Sequence, residues 1–218
     1  MHALDGDRAK FLKVEDENRR TYDGMLLAMD RSIGRVLDRL DKHGIADNTI
    51  VVFLNDNGGG GSTGLYAAHS RNYANNKPLS GHKFDILEGG VRVPMIIRWP
   101  KHIQPGSVSG ELVSSLDICR TIVQLAGAKP AHPLQGKYLF GKDLPEREYV
   151  HFNRDKMDDT HDAMRAVRSR RYKLIHNLMP ERAYCQLNAY KERQYPILAL
   201  MNVLNIQGKL NPVQARFM

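Results

Sequence analysis

Cysteine is nearly absent from this chain. Two thiols, Cys119 and Cys185, stand among 218 residues. They are too few for a disulfide framework, and neither belongs to a Cys-x-x-Cys pair or a zinc-type cluster. Both read as ordinary thiols, Cys119 as a small core residue inside a helix. No apolar run approaches the roughly 18 residues of a membrane span, so no membrane partner is expected. The polar, charged stretch from Met1 to Glu17 does not read as a signal peptide. Basic residues outnumber acidic ones, 32 to 24, for a net charge of +8. That balance favours anionic partners in general, but no nucleic-acid motif accompanies it, and no nucleic acid is expected. The remainder, 42% hydrophobic and 26% charged residues, suits an ordinary globular protein of one large or two small domains.

What the chain does have is concentrated between Thr49 and Pro94. Thr49 to Leu54 is a short, nearly all-apolar, β-branched run bounded by Asp47-Asn48 and a glycine cluster. It reads as a strand buried on both faces. Asp56 and Asn57 fall just past its carboxyl end, where open α/β sheets build their sites. Two side-chain oxygens there, followed by glycines that let the backbone turn, suit a hard cation such as Ca²⁺ or Mg²⁺. An Asp-His pair would have leaned towards zinc or manganese. Asp-Asn-Gly is also good turn chemistry in its own right, so the residues alone leave both readings open.

Downstream lie Gly81-His82-Lys83-Phe84 and then Glu88-Gly89-Gly90-Val91-Arg92-Val93-Pro94. Asp-Asn-Gly, Gly-x-Lys and Glu-Gly-Gly-Val-Arg-Val-Pro, in this order, resemble the sulfatase family of the alkaline phosphatase superfamily. The similarity extends from about Tyr22 into the C-terminal tail. It implies an α/β fold: part of a mainly parallel sheet flanked by helices, with a small C-terminal antiparallel subdomain, divided as residues 1–140 and 141–218. It further implies that Asp56 and Asn57 ligate the metal and that Lys83 contacts the sulfate group. An ammonium near a developing anionic oxygen is a sound stabiliser. His82, adjacent, is a secondary catalytic candidate. His69 and Arg71, on the loop from Thr63 to Ser80, are substrate-binding candidates, and that loop reads equally as functional or as a disordered surface.

The flanking segments can be read from pattern. Residues 1–14 look flexible or partial. Tyr22, Met25, Leu26, Met29, Ile33, Val36, Leu37 and Leu40 recur at helical spacing across about Glu15 to His43, with Gly44 as its stop and Asp23 and Asp30 as solvated carboxylates. Val93 to Trp99 is a second buried-strand candidate. Val113 to Ala126 reads as a helix with Leu116, Ile118, Ile122, Val123 and Leu125 inward, Ser114 or Ser115 as cap and Gly127 as stop. Asp117 sits where the family usually has a structural Asp. Pro130, Pro133, Gly136, Gly141 and Pro145 mark a linker-like crossing. Beyond it, Glu148 to Asn153 and Met164 to Asn177 alternate as a hairpin or two half-buried strands with Arg and Lys outward. Helical stretches follow around Ile197 to Leu204 and from Pro212.

The family's nucleophile motif, Cys-x-Pro-x-Arg or Ser-x-Pro-x-Arg, whose first residue becomes formylglycine, does not occur in these 218 residues. Nor does an Asp-Asp pair after an apolar strand; Asp158-Asp159 lies in a polar loop. The resemblance therefore implies the second half of a sulfatase. Its nucleophile would lie outside this chain, and it would need the N-terminal half for a complete site and be inactive alone. With half the sheet absent it should expose apolar surface and aggregate or partly unfold. The substrate would be a sulfated small molecule or glycan, in a periplasmic or extracellular setting. Two rivals stand beside this: a phosphodiesterase or phosphonate hydrolase of the same superfamily, which more often shows Asp-His, and a non-catalytic module binding acidic glycan through Arg168 to Lys173.

Overall fold

The structure is a computed structural model and describes residues 2–60, 75–141, 146–157, 159–183, 188–189 and 196–218. The described elements run α1 (Asp5–Arg8), a 3-10 turn (Ala9–Phe11), α2 (Glu17–Lys42), a 3-10 turn (Ala46–Asn48), β1 (Val51–Leu54), α3 (Glu88–Val91), β2 (Met95–Arg98), α4 (Ser115–Leu125), β3 (Val150–Met157), β4 (Thr160–Arg168), β5 (Lys173–Asn177), α5 (Pro196–Ile206) and α6 (Pro212–Ala215). The chain is α/β. Compactness groups residues 1–107, 157–160 and 181–218 in one unit and 108–156 with 161–180 in the other.

In the first unit α2 forms where the periodicity places it. Asp16 caps it by accepting from the Asn18 and Arg19 amides, and Gly44, at φ +66°, ends it. Two expectations are corrected here. Residues 2–14 are not a loose arm: Arg31 forks onto Asp7 at 2.6 and 2.9 Å, and Gly24 lets Ala3 and Arg8 approach the helix. The Arg31 hydrogen bond holds the Asp7 carboxyl below the ordinary carboxylate range. Asp23 is likewise not free in solvent, because Arg19 pairs with it at 2.9 Å, an i,i+4 contact along the helix. Met25, Leu26, Met29 and Val36, on the apolar stripe, remain exposed.

The two apolar strands pair with each other. Val51 faces Arg98 and Leu54 faces Met95 in an antiparallel register. Among the described residues this is the pairing they make, and the expected mainly parallel arrangement is not what they build. Both strands are half-buried rather than enclosed, and Ile96 is 63% exposed.

Four glycines fasten the end of β1 to the returning chain. A Cβ on Gly58 would overlap the carbonyl oxygen of Gly89; one on Gly89 would overlap that of Gly81; one on Gly90 would overlap that of Asp85. Gly81 itself stands at φ +90°. The backbones approach so closely that they bond directly: the Gly58 amide donates to Gly90 O at 2.9 Å and the Gly89 amide to Ser80 O at 2.7 Å.

In the second unit β4 pairs antiparallel with β5, from Met164 opposite Asn177 to Arg168 opposite Lys173, and β3 lies on the other side of β4. The expected C-terminal antiparallel hairpin forms as β4 and β5, and the segment at 148–153 enters the same sheet as the start of β3. Arg168 and Lys173 are half-buried rather than outward, and the Lys173 ammonium sits 4.4 Å from the Phe152 ring centroid. Met164 and Ala166 are buried on one face of β4.

The helix α4 also differs from its apolar reading. Its buried residues are Asp117 and Thr121, while Leu116, Ile122 and Leu125 are exposed, as is Cys119. The reason is what the helix docks. Asp117 closes a capping box with Ser114 and accepts from the Lys137 amide at 2.7 Å, and Arg147 forks onto it at 2.5 and 2.7 Å. Thr121 accepts from the Leu139 amide at 3.0 Å. A Cβ on Gly136 would overlap Leu116 O. Residues 136–139 are thus fastened to α4 by hydrogen bonds and are no linker.

Two outcomes follow for stability. Gly58→Ala is expected to cost about 3 kcal/mol, the upper end for overpacking, whereas Gly34→Ala, with open space around it in α2, should stabilise by about 0.5–1 kcal/mol; urea melts of both variants check this contrast. Burial pushes the Asp117 carboxyl up, but Arg147 and the Ser114 and Lys137 amides outweigh it and hold it below the ordinary carboxylate range. A depressed folded value means the pair stabilises fully above the unfolded value of about 3.9 and loses that contribution as pH falls through the folded value. Asp117→Asn should therefore cost about 3 kcal/mol at pH 7, by leaving Arg147 uncompensated. The gap to wild type should shrink only in acid below about pH 4, as melts across pH 7 to 2 would show.

Candidate functional site at the end of β1

The last rung of the strand pair is the Asn55 amide donating to Pro94 O at 3.4 Å. Asp56 and Asn57 come next, past the strand, at the place their sequence position indicated. Asp56 is exposed, and among the described residues no hydrogen bond or ion pair engages its carboxylate. Asn57 is half-buried and spends an Nδ2 proton on Gly58 O at 3.1 Å, which leaves its Oδ1 to act as an acceptor. A free carboxylate and a free amide oxygen at one turn are donors of the hard, oxygen-only kind that Ca²⁺ takes. No cluster of three or more His, Cys, Asp or Glu able to hold a metal forms among the described residues. The donor set thus fits calcium as part of a coordination shell of six to eight oxygens.

Lys83 is brought to the same strand end by its backbone: its amide donates to Gly59 O at 3.0 Å. The turn that holds it is tight. Asp85 accepts from the His82 amide through Oδ2 at 2.9 Å, and the Asp85 amide donates back to His82 O at 2.9 Å. Phe84, between them, is at φ +86°, a left-handed conformation that costs a bulky residue on the order of 1–3 kcal/mol and persists only where its surroundings impose it. The Lys83 ammonium lies 5.6 Å from the Phe84 ring centroid, and the side chain is half-buried.

His82 serves this turn. Its Nδ1 is 2.6 Å from Lys83 O, and a carbonyl only accepts, so Nδ1 carries the proton in that contact. Its Nε2 lies 3.8 Å from Asp85 Oδ2. His69 and Arg71 lie outside the described residues. Asn76 is the residue that sequence reasoning passed over. Its Oδ1 accepts from the Gly59 amide at 2.9 Å, and its Nδ2 donates to Gly59 O at 2.9 Å and Gly81 O at 3.1 Å. The signal available was an Asn close to two glycine-rich turns, where backbone groups need a partner that both donates and accepts.

The basic run at the turn between β4 and β5 is engaged within its own unit. Arg170 pairs with Glu111 at 2.7 Å and Glu146 at 3.0 Å, and Arg171 packs over the Tyr172 ring at 5.1 Å. No helix among the described residues is long and apolar enough to cross a membrane.

Residues 4–128 match the Sulfatase family model and residues 82–202 match the model of the N-sulphoglucosamine sulphohydrolase C-terminal region. The chain is 33% identical over 190 residues to an ulvan-active sulfatase of Formosa agariphila, covering 87% of this chain and 29% of that one. It is 39% identical over 112 residues to the N-acetylgalactosamine-6-sulfatase of Mus musculus, covering 51% of this chain and 21% of that one. The crystal structure of Ps i-CgsB superposes at a TM-score of 0.62 with 28% identity, over all of this chain and 48% of that one. The chain thus spans less than half the length of each. Each family model covers more than half of the 218 residues, and the chain belongs to the sulfatase family.

Proposed function

We propose that this chain supplies the metal-holding and sulfate-holding part of a site that hydrolyses sulfate esters, with a sulfated carbohydrate as substrate. The observation that carries the reading is the Lys83 amide bonded to Gly59 O, which closes the cation's loop onto the Asp56–Asn57 turn. Asp56 and Asn57 offer oxygens to calcium, with magnesium as the lesser candidate. When bound, the metal polarises the sulfate oxygens and so favours attack at sulfur. Lys83 contributes a fixed positive charge beside the anion; its turn is already ordered, so little reorganisation is needed on binding. The nucleophile, a formylglycine by family resemblance, is proposed to come from residues outside these 218, since neither motif that carries it occurs in them.

Support for a carbohydrate ester comes from the relatives. One is named an ulvan-active sulfatase, and the Ps i-CgsB structure also exists in complex with k-i-k-neocarrahexaose. Asp56-Asn57 in place of Asp-His keeps the phosphodiesterase reading behind the sulfatase one. A glycan-binding module built on the basic run is disfavoured by the carboxylates that Arg170 already engages. The proposed setting is periplasmic or extracellular, as the family resemblance implies.

The purified chain, given calcium and an aryl sulfate, is expected to show no turnover. A formylglycine-bearing N-terminal sulfatase region supplied in trans should restore it. In the reconstituted enzyme Asp56→Ala or Lys83→Ala should lower kcat by about 10²–10³-fold, the loss that accompanies removal of one preorganised electrostatic contact. Turnover by the 218-residue chain alone would sink the proposal, because another nucleophile would then be at work.

A further inference from the structure

We infer that Asn76 is a positioning residue that sets the register between Lys83 and the Asp56–Asn57 turn, and that it thereby couples the binding of calcium to the binding of a sulfate ester. The inference rests on the roles of those three residues proposed above. Its basis is where the Asn76 amide makes its contacts. Gly59 lies two residues after Asn57, and Gly81 two residues before Lys83. Asn76 bonds both: Oδ1 to the Gly59 amide, Nδ2 to Gly59 O and to Gly81 O, all between 2.9 and 3.1 Å. One rigid planar amide thus ties the backbone behind the metal ligands to the backbone in front of the cation.

The chemistry leaves little latitude at this position. The contact needs one acceptor and two donors in one plane, which asparagine offers at this length. Aspartate keeps the acceptor and loses both donations, placing a carboxylate against two carbonyl oxygens. Gly59 O already takes the Lys83 amide, so the Asn76 donation fills its second lone pair and holds the three residues in one network. A residue that only stabilised the loop would change the fold's melting point and both affinities alike. One that sets the register changes the interaction between the two ligands, a quantity separable from either affinity.

The test uses the full chain with calcium chloride and methyl sulfate, a soluble sulfate monoester, titrated by ligand-observed NMR. In wild type, calcium should tighten methyl sulfate binding by about fivefold or more, the low end of ordinary site–site coupling, and Lys83→Ala should abolish the methyl sulfate signal. In Asn76→Ala calcium should change methyl sulfate affinity by less than about twofold, an interaction below the ordinary range. Asn76→Asp is read in the same way should the alanine variant fail to fold. Independently of any variant, the wild-type Gly59 amide, whose proton goes to Asn76, should exchange more slowly with both ligands present than with either alone. Coupling kept in a folded variant, or Gly59 exchange indifferent to the second ligand, overturns the role of Asn76. Absence of any methyl sulfate binding in wild type, with or without calcium, overturns instead the reading of Lys83 and the Asp56–Asn57 turn.

Discussion

The backbone of Gly58 lies against Gly89 and Gly90 with no room for a single methyl group, and the candidate site descends from that approach. Hydrogen bonds such as Gly58 N to Gly90 O contribute on the order of 1 kcal/mol each, so they alone would not fix two loops to within a fraction of an ångström. Excluded volume does. Four positions accept only hydrogen as a side chain, because carbonyl oxygens or a neighbouring side chain occupy the place of a Cβ. Glycine at these positions permits the close approach of the loop that carries Lys83, and Asp56 and Asn57 emerge beside that closure. The polar side chains use a geometry that glycine sterics have already set.

The second unit solves the same problem with charge. Asp117, 1% exposed, is surrounded by the Arg147 fork and two backbone amides. A buried pair of this kind gains little net stability over apolar packing, yet loses much if one partner goes. Its effect is to specify which segment lies on α4. With Thr121 and Gly136 it selects residues 136–139 and leaves Leu116, Ile122 and Leu125 exposed.

This division explains what could be read from the sequence. The helix α2 and its stop at Gly44, the strands at 51–54 and 95–98, the Ser114 cap and the turn carrying Asp56 and Asn57 are local features, governed by periodicity and capping chemistry that neighbours do not alter. Most of the differences were decisions made by tertiary partners. Asp23 is the exception: its partner Arg19 lies one turn earlier on the same helix, a local i,i+4 pairing. Residues 2–14 looked loose because one ion pair, buried Asp7 with exposed Arg31, is invisible to composition. Leu116 and Ile122 were assigned inward on the assumption that a helix buries its apolar stripe, and the hydrogen-bonded segment at 136–139 overrode it. Strand direction is not legible in the same way: two apolar runs look alike whether they pair in parallel or antiparallel.

Net charge illustrates the same point at the site itself. A surplus of eight basic groups says only that anions are welcome somewhere. The densest basic run, at Arg168 to Lys173, is the one whose charges are answered, by Glu111, Glu146 and two aromatic rings. Lys83, a single cation in a neutral-looking loop, is different. The carboxylate nearest to it in sequence, Asp85, is occupied by the His82 amide, and among the described residues no acid pairs with the ammonium. A half-buried cation without a carboxylate partner among the described residues, on a turn strained at Phe84, has the charge and the placement that the proposed sulfate-holding role calls for. Placement, more than the count of charges, is what singles this lysine out as the proposed anion-holding group.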